Sequence, residues 1–185
     1  MADVNSAQQV DSVTCMYPLI NRDNTCSFSG YRPEKLPWGT SEDDPRCTAL
    51  KARLKAIAER VVLSGIRHFI CGMARGSDTY FCEAMLFLRE EKYPQVSVEA
   101  AIPYEEQASR WFEEERSRYS LLLKQCDFVT CISREYTRNC MFRRNRYLVD
   151  SSSILLAVYD GKPGGTKYTL EYAMRRGIEI IEIAP

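Results

Sequence analysis

One histidine, His68, serves the whole 185-residue chain. That scarcity weighs against any mechanism in which a serine or cysteine nucleophile needs an imidazole base, because His68 opens an apolar run, "HFIC", that reads as a strand. A structural zinc site is disfavoured too: the eight cysteines at 15, 26, 47, 71, 82, 126, 131 and 140 include no CxxC pair. Net charge is also missing, with 25 basic against 25 acidic side chains. This argues against a bulk electrostatic grip on nucleic acid or acidic membranes and leaves only a local basic patch open. No apolar stretch approaches the roughly 20 residues that span a bilayer, and "MADVNSAQQVDSVTCMYPLI" lacks the basic and apolar regions of a secretory leader. With Cys26, Cys71 and Cys131 inside apolar runs, the thiols read as reduced, and the expectation is a cytoplasmic protein with no membrane partner. Internal repeats, low-complexity segments, GxGxxG and GxxxxGK[ST] are all absent.

What is present is alternation. Residues 1–23 are polar, without periodicity, and read as an N-terminal arm that is flexible or packed on the domain. Residues 24–185 read as one domain. Strands are expected at 25–30, 66–72, 96–103, 127–133, 153–161 and 178–185, and helices at 47–65, 77–94, 105–126, 140–152 and 165–177. Strands that alternate with helices over short connections imply parallel pairing through helical crossovers. The near-continuous apolar strands "ILLAV" and "HFIC" imply a sheet covered on both faces. The expected fold is a doubly wound α/β domain with a mostly parallel sheet.

Such sheets bind ligands at the carboxyl ends of their strands, so the residues after each strand are the candidates. Gly30 and Arg32 follow the first strand in "SGYRP"; an arginine there can fork onto a phosphate or be plain surface. Gly72, Arg75, Gly76, Ser77 and Asp78 follow the second, in "CGMARGSD". There a helix N-terminus favours an anion, while Asp78 suits a helix cap or a ribose hydroxyl better than a phosphate. Gln107 and Trp111 follow the third, the tryptophan as a stacking wall or as core. The segment after the fourth is the most basic, with Arg134, Arg138, Arg143, Arg144 and Arg146. Helical spacing puts Arg143, Arg146 and Tyr147 on one face and Arg144 on another, with Asn145 beside it. Gly164, Gly165 and Thr166 follow the fifth and open a second glycine-rich helix start. Two such starts in one sheet point to an anionic, nucleotide-like ligand.

Four segments, "SGYRP", "CGMARGSDTYFCEA", "IPYEEQASRW" and "RRNRYLVDSSSILLAVYDGKPGGTKYTLEYA", together resemble the YpsA-like branch of the SLOG (Smf/DprA–LOG) superfamily. The likeness covers about residues 24 to 183. It implies a Rossmann-like fold and binding of a nucleotide or ADP-ribose-like ligand, with no required cofactor and no metal, and the LOG-like relatives imply a homodimer. LOG enzymes are phosphoribohydrolases that use an arginine and a glutamate. "MFRRN" resembles the first motif and puts Arg144 at the arginine; "PGGTKYTLEY" resembles the second with a departure, so that direct alignment puts Thr169 at the glutamate and one extra residue brings in Glu171. The leading expectation is therefore a nucleotide-binding sensor or adaptor. Its alternative is a nucleotide N-glycosidase using Arg144 with Glu171 (or Glu83), and single-stranded DNA binding comes third.

Overall fold

In the computed structural model, which describes residues 21–185, six parallel strands form one sheet. They are β1 (Thr25–Ser29), β2 (His68–Cys71), β3 (Ser97–Ile102), β4 (Phe128–Cys131), β5 (Ile154–Val158) and β6 (Glu179–Ile183). Five helices connect them: α1 (Pro45–Leu63), α2 (Ser77–Glu91), α3 (Glu113–Gln125), α4 (Cys140–Asp150) and α5 (Gly165–Arg176). Strand order is β4-β3-β2-β1-β5-β6. The chain thus winds outward from β1 to β4, crosses back over the sheet through α4, and continues outward on the other side. The direction reverses between β1 and β5, where a crevice opens at the carboxyl ends of the strands. The fold is Rossmann-like, as the alternation implies. Residues 1–20 of the expected arm lie outside the described residues.

Burial follows the strand pattern. Cys26 and Phe28 of β1 face one side, with Phe69, Cys71, Val98 and Ala100, under α1, α2 and α3. The other side is covered by α4 and α5, which bury Leu148 against Ile70 and Ala101, and Val149, Leu170 and Ala173 against Leu155 and Ala157. The α2 helix is apolar on most sides because it sits between α1, α3 and the sheet. Its Phe81 stacks on Phe28 at 4.4 Å between ring centres, and Leu54 of α1 is fully buried. Truncating Leu54 to alanine would cost about 2–5 kcal/mol.

One expected boundary is corrected. The helix expected over 105–126 begins only at Glu113; residues 104–112 form turns. Helical periodicity is interrupted because Gln107 and Ala108 are drawn inward, the Gln107 amide donating to the Met73 carbonyl at 2.8 Å. The carboxylate of Glu115 then accepts the Phe112 N–H at 3.3 Å and starts the helix. At the opposite end of the sheet, His68 lies between Ser97 Oγ (2.8 Å) and Glu99 (2.7 Å), and Tyr147 also donates to Glu99 (2.6 Å). This chain of bonds satisfies a carboxylate buried mid-strand and keeps His68 at the far ends of the strands from the crevice.

Candidate functional site

A cavity of about 350 Å³ occupies the crevice between β1 and β5, lined by Gly30, Arg32, Asp78, Arg144, Asn145, Gly165 and Thr166 among others. Its size falls within the range of small-molecule pockets. Seven of the residues expected at strand ends therefore converge on one space. They arrive from four segments: the turn after β1, the start of α2, the first turns of α4 and the start of α5.

The floor is a buried ion pair. Arg144 lies on the inward face of α4, opposite the exposed Arg143 and Arg146, and is almost fully buried. Its Nε donates to Asn145 Oδ1 at 3.0 Å, its Nη1 donates to the Gly72 carbonyl, and Nη1 stands 3.7 Å from Asp78 Oδ2. Among the described residues, Nη2 has no hydrogen-bond partner. Gly72 makes this seat: a Cβ there would overlap the Arg144 guanidinium. Burial pulls the guanidinium below its usual value, opposed by the Asp78 carboxylate. Burial likewise pushes Asp78 up, opposed by Arg144 and by two backbone N–H groups.

Those N–H groups define what Asp78 does. Its Oδ1 accepts from Gly30 N and its Oδ2 from Ala74 N, both at 3.1 Å. The carboxylate ties the turn after β1 to the turn after β2 and to α4; its lone pairs are engaged by protein. Gly76, at φ +81°, lets the chain pass against Tyr31, since a Cβ would lie 2.9 Å from the Tyr31 carbonyl. The Ser77 N–H donates to that same carbonyl at 3.1 Å. The first N–H of α2 is thus engaged by the protein, and Ser77 itself is fully buried, its hydroxyl without a hydrogen-bond partner among the described residues.

The start of α5 differs. Its first intrahelical bond runs from Tyr168 N to Gly164 O, so the N–H groups of Gly165, Thr166 and Lys167 are left without helical partners. Gly165 and Thr166 line the cavity, and the helix dipole adds partial positive charge there. Arg32 stands across the cavity, exposed, and forms no ion pair among the described residues.

Residues the sequence did not single out complete the walls. The Tyr31 hydroxyl donates to Asp160 at 2.7 Å and accepts from Lys162 N at 3.1 Å, pinning the loop after β5 to the turn after β1. Lys35 stands 5.5 Å over the Tyr31 ring and donates to the Pro163 carbonyl, against Gly164. The signal for both residues was their place within five positions of Gly30.

Other expected site residues lie elsewhere. Arg75 and Trp111 line a second cavity of about 560 Å³ between α2, α3 and the loop before α1. Gln107 is buried under Met73. Glu171 is exposed on α5, 3.8 Å from Lys167; Thr169 is buried and donates to the Gly165 carbonyl at 2.9 Å; Glu83 pairs with Arg118 at 2.6 Å. Among the described residues the carboxylates lining the first cavity are Asp78 and Glu34, and Glu34 pairs with Arg75. No group of histidine, cysteine or carboxylate side chains among the described residues could hold a metal ion, and no helix there is long and apolar enough to cross a membrane.

The YpsA family model, described as "YspA SLOG family", matches residues 26–180. The chain belongs to the YpsA SLOG family. Two UPF0398 proteins, from Bacillus thuringiensis (strain Al Hakam) and Bacillus cereus (strain Q1), are each 31% identical over 155 residues, covering 82% of this chain and 83% of theirs. Among solved structures, DNA processing protein A (DprA) of Streptococcus pneumoniae superposes with a TM-score of 0.57 at 14% identity, over 86% of this chain and 50% of that one. The Helicobacter pylori protein, whose structure is described as showing a single-stranded DNA binding mode, gives 0.57 at 11% identity, over 85% and 64%. The YpsA-type domain thus spans only part of the DprA chains, and these likenesses concern the fold.

Proposed function

We propose that this YpsA-family domain is a cytoplasmic binding protein for a nucleotide or nucleotide derivative, acting as a sensor or adaptor. The observation that carries the reading is the pairing pattern around the β1–β5 cavity. Among the described residues, Arg32 forms no ion pair and one nitrogen of Arg144 has no hydrogen-bond partner, and the cavity they line also holds a helix start whose first N–H groups have none. Unpaired, directed donors around a small cavity suit phosphate oxygens. The cavity is large enough for a phosphate and a sugar, and Asn145 and Thr166 offer neutral bonds to hydroxyls.

Binding is favoured over hydrolysis by the carboxylates. Cleaving an N-glycosidic bond needs a carboxylate free to steady an oxocarbenium-like centre or to activate water. Asp78 is occupied by three partners and Glu171 is turned to solvent. Thermal shift with AMP, ADP, ADP-ribose and NAD tests the reading: at least one should raise the melting temperature, and Arg32→Ala should remove the rise. No shift with any of the four would overturn it. Release of free base from a nucleoside monophosphate, lost in Arg144→Ala, would establish the hydrolase instead.

A second reading has one observation behind it. The net-neutral chain places two exposed arginines on α4, Arg143 and Arg146, that form no ion pair among the described residues. There Arg143 and Arg146 flank a groove in which Phe142 and Tyr168 meet edge to face at 4.7 Å. Arginines with exposed aromatics suit single-stranded nucleic acid. A labelled oligothymidylate should then bind with a steep salt dependence that Arg143→Ala and Arg146→Ala flatten; salt-independent or undetectable binding would remove this reading.

A further inference from the structure

Four sulfur atoms neighbour one another between the end of α3 and the turn after β2. Cys126, at the end of α3, is half-buried. Its Sγ lies 3.8 Å from Sγ of Cys82 on α2. Cys82 is in hydrogen-bonding contact with Cys71 at the end of β2, and Cys71 Sγ lies 3.3 Å from the Met73 sulfur. Cys71 immediately precedes Gly72, whose carbonyl seats Arg144. Other thiols such as Cys26, Cys47 and Cys140 are buried singly within the apolar core or at a helix start, where packing alone accounts for them. Two thiols on different helices at van der Waals contact, one of them reachable from solvent, are a different arrangement.

We propose that Cys126 and Cys82 are a peroxide-sensitive pair that closes to a reversible disulfide. Cys126 is the thiol that reacts, because it is the member of the pair reachable from solvent. Its thiolate attacks one oxygen of hydrogen peroxide and forms an S–O bond; the O–O bond breaks, the other oxygen leaves as hydroxide and takes up a proton to give water, and Cys126 becomes a sulfenic acid. The Cys82 sulfur then attacks the sulfenic sulfur; the S–O bond breaks, the Cys82 proton departs with the hydroxyl as a second water, and an S–S bond forms. Two thiols and one peroxide thus give one disulfide and two waters. The neighbouring Cys126 and Cys71 thiols, with burial, hold the Cys82 thiol well up, which protects it from direct oxidation; its place against Cys126 makes it the resolving thiol. The sulfurs must close from 3.8 Å to about 2.05 Å. The bond would clamp α2 to the end of α3. Cys82 lies one turn beyond Asp78 on α2, so the clamp acts on the helix that ties the cavity walls together. The inference rests on thiol geometry and holds whatever the cavity binds.

Peptide mapping after peroxide treatment of the full chain, with alkylation of the remaining thiols, tests it. Trypsin places Cys71, Cys82 and Cys126 on separate peptides, cutting after Arg75, Arg89, Lys124 and Arg134, with Cys131 sharing the Cys126 peptide. The expected product joins the 76–89 and 125–134 peptides with the loss of two hydrogens and is reversed by dithiothreitol. It should persist in Cys131→Ser and vanish in Cys126→Ser. Cys126 advancing to sulfinic acid with Cys82 still alkylatable, or Cys82 joined instead to Cys71 or Cys131, would overturn it. Circular dichroism of each variant distinguishes a lost thiol from a lost fold.

Discussion

The β1–β5 cavity and the cavity between α2 and α3 are both lined by arginines, yet among the described residues only the first has arginine to spare. In the larger, Arg118 is bound by Glu42 and Glu83, at 2.5 and 2.6 Å, and Arg75 by Glu34 and Glu115. Their charges are spent holding α3 to the loop before α1 and to α2. In the smaller, among the described residues, Arg32 forms no ion pair and one Arg144 nitrogen has no hydrogen-bond partner, beside helix N–H groups without partners. The difference teaches that the count of basic residues says little about anion binding; the count of donors left over after internal pairing says more. Paired exposed ions also contribute little to stability, so the two arginine sets should respond differently to substitution.

The largest effect is expected at Arg144. Its replacement by alanine strands a buried Asp78 and should cost about 3–5 kcal/mol in chemical denaturation, together with loss of nucleotide binding. Gly72→Ala comes next: the added methyl displaces the guanidinium, costing about 1–3 kcal/mol through overpacking, and nucleotide-induced thermal stabilisation should disappear. If Gly72→Ala binds nucleotides normally, the Arg144 seat is not the floor of the site. Arg118→Ala should lower stability by about 1 kcal/mol or less and leave nucleotide affinity unchanged. A nucleotide affinity that falls in Arg118→Ala would move the site to the larger cavity.

The smallest effect lies outside both cavities, at the start of α1. Asp44 accepts from Arg46 N at 2.8 Å, and the Arg46 side chain and N–H hold its carboxyl down at about 2 from an ordinary 3.8. A carboxylate held low in the folded state stabilises above its unfolded value, and that contribution fades as pH falls from 3.8 toward 2. Urea midpoints of wild type and Asp44→Ala should therefore differ above pH 4 and converge toward pH 2. A gap independent of pH would mean that the charge of Asp44 is not what caps the helix.

Much of this architecture was legible in the sequence because alternation and apolar strands report parallel sheets directly. The strand ends led to Gly30, Arg32, Arg144, Gly165 and Thr166 for the same reason, since a doubly wound sheet fixes where its crevice opens. The pairing was not legible. Arg75 and Arg32 look alike in sequence, and only tertiary contact with Glu34 and Glu115 separates them. Asp78 reads in sequence as a ribose contact or cap, and only the fold shows that it also bonds a turn 48 residues away. Tyr31 and Asp160, 129 residues apart, meet only after folding. The late start of α3 was hidden because the charges at 105–106 and 113–115 look equally suited to a first helical turn.

The most direct test of the central claim is a calorimetric titration of ADP-ribose into wild type, Arg32→Ala and Arg118→Ala. Arg32 is exposed, so its removal should leave stability within about 0.5 kcal/mol. Losing one charge-assisted bond to phosphate should weaken binding roughly tenfold. The prediction is binding to wild type and Arg118→Ala with equal affinity, and a loss of that order in Arg32→Ala. Equal affinity in all three proteins would contradict it.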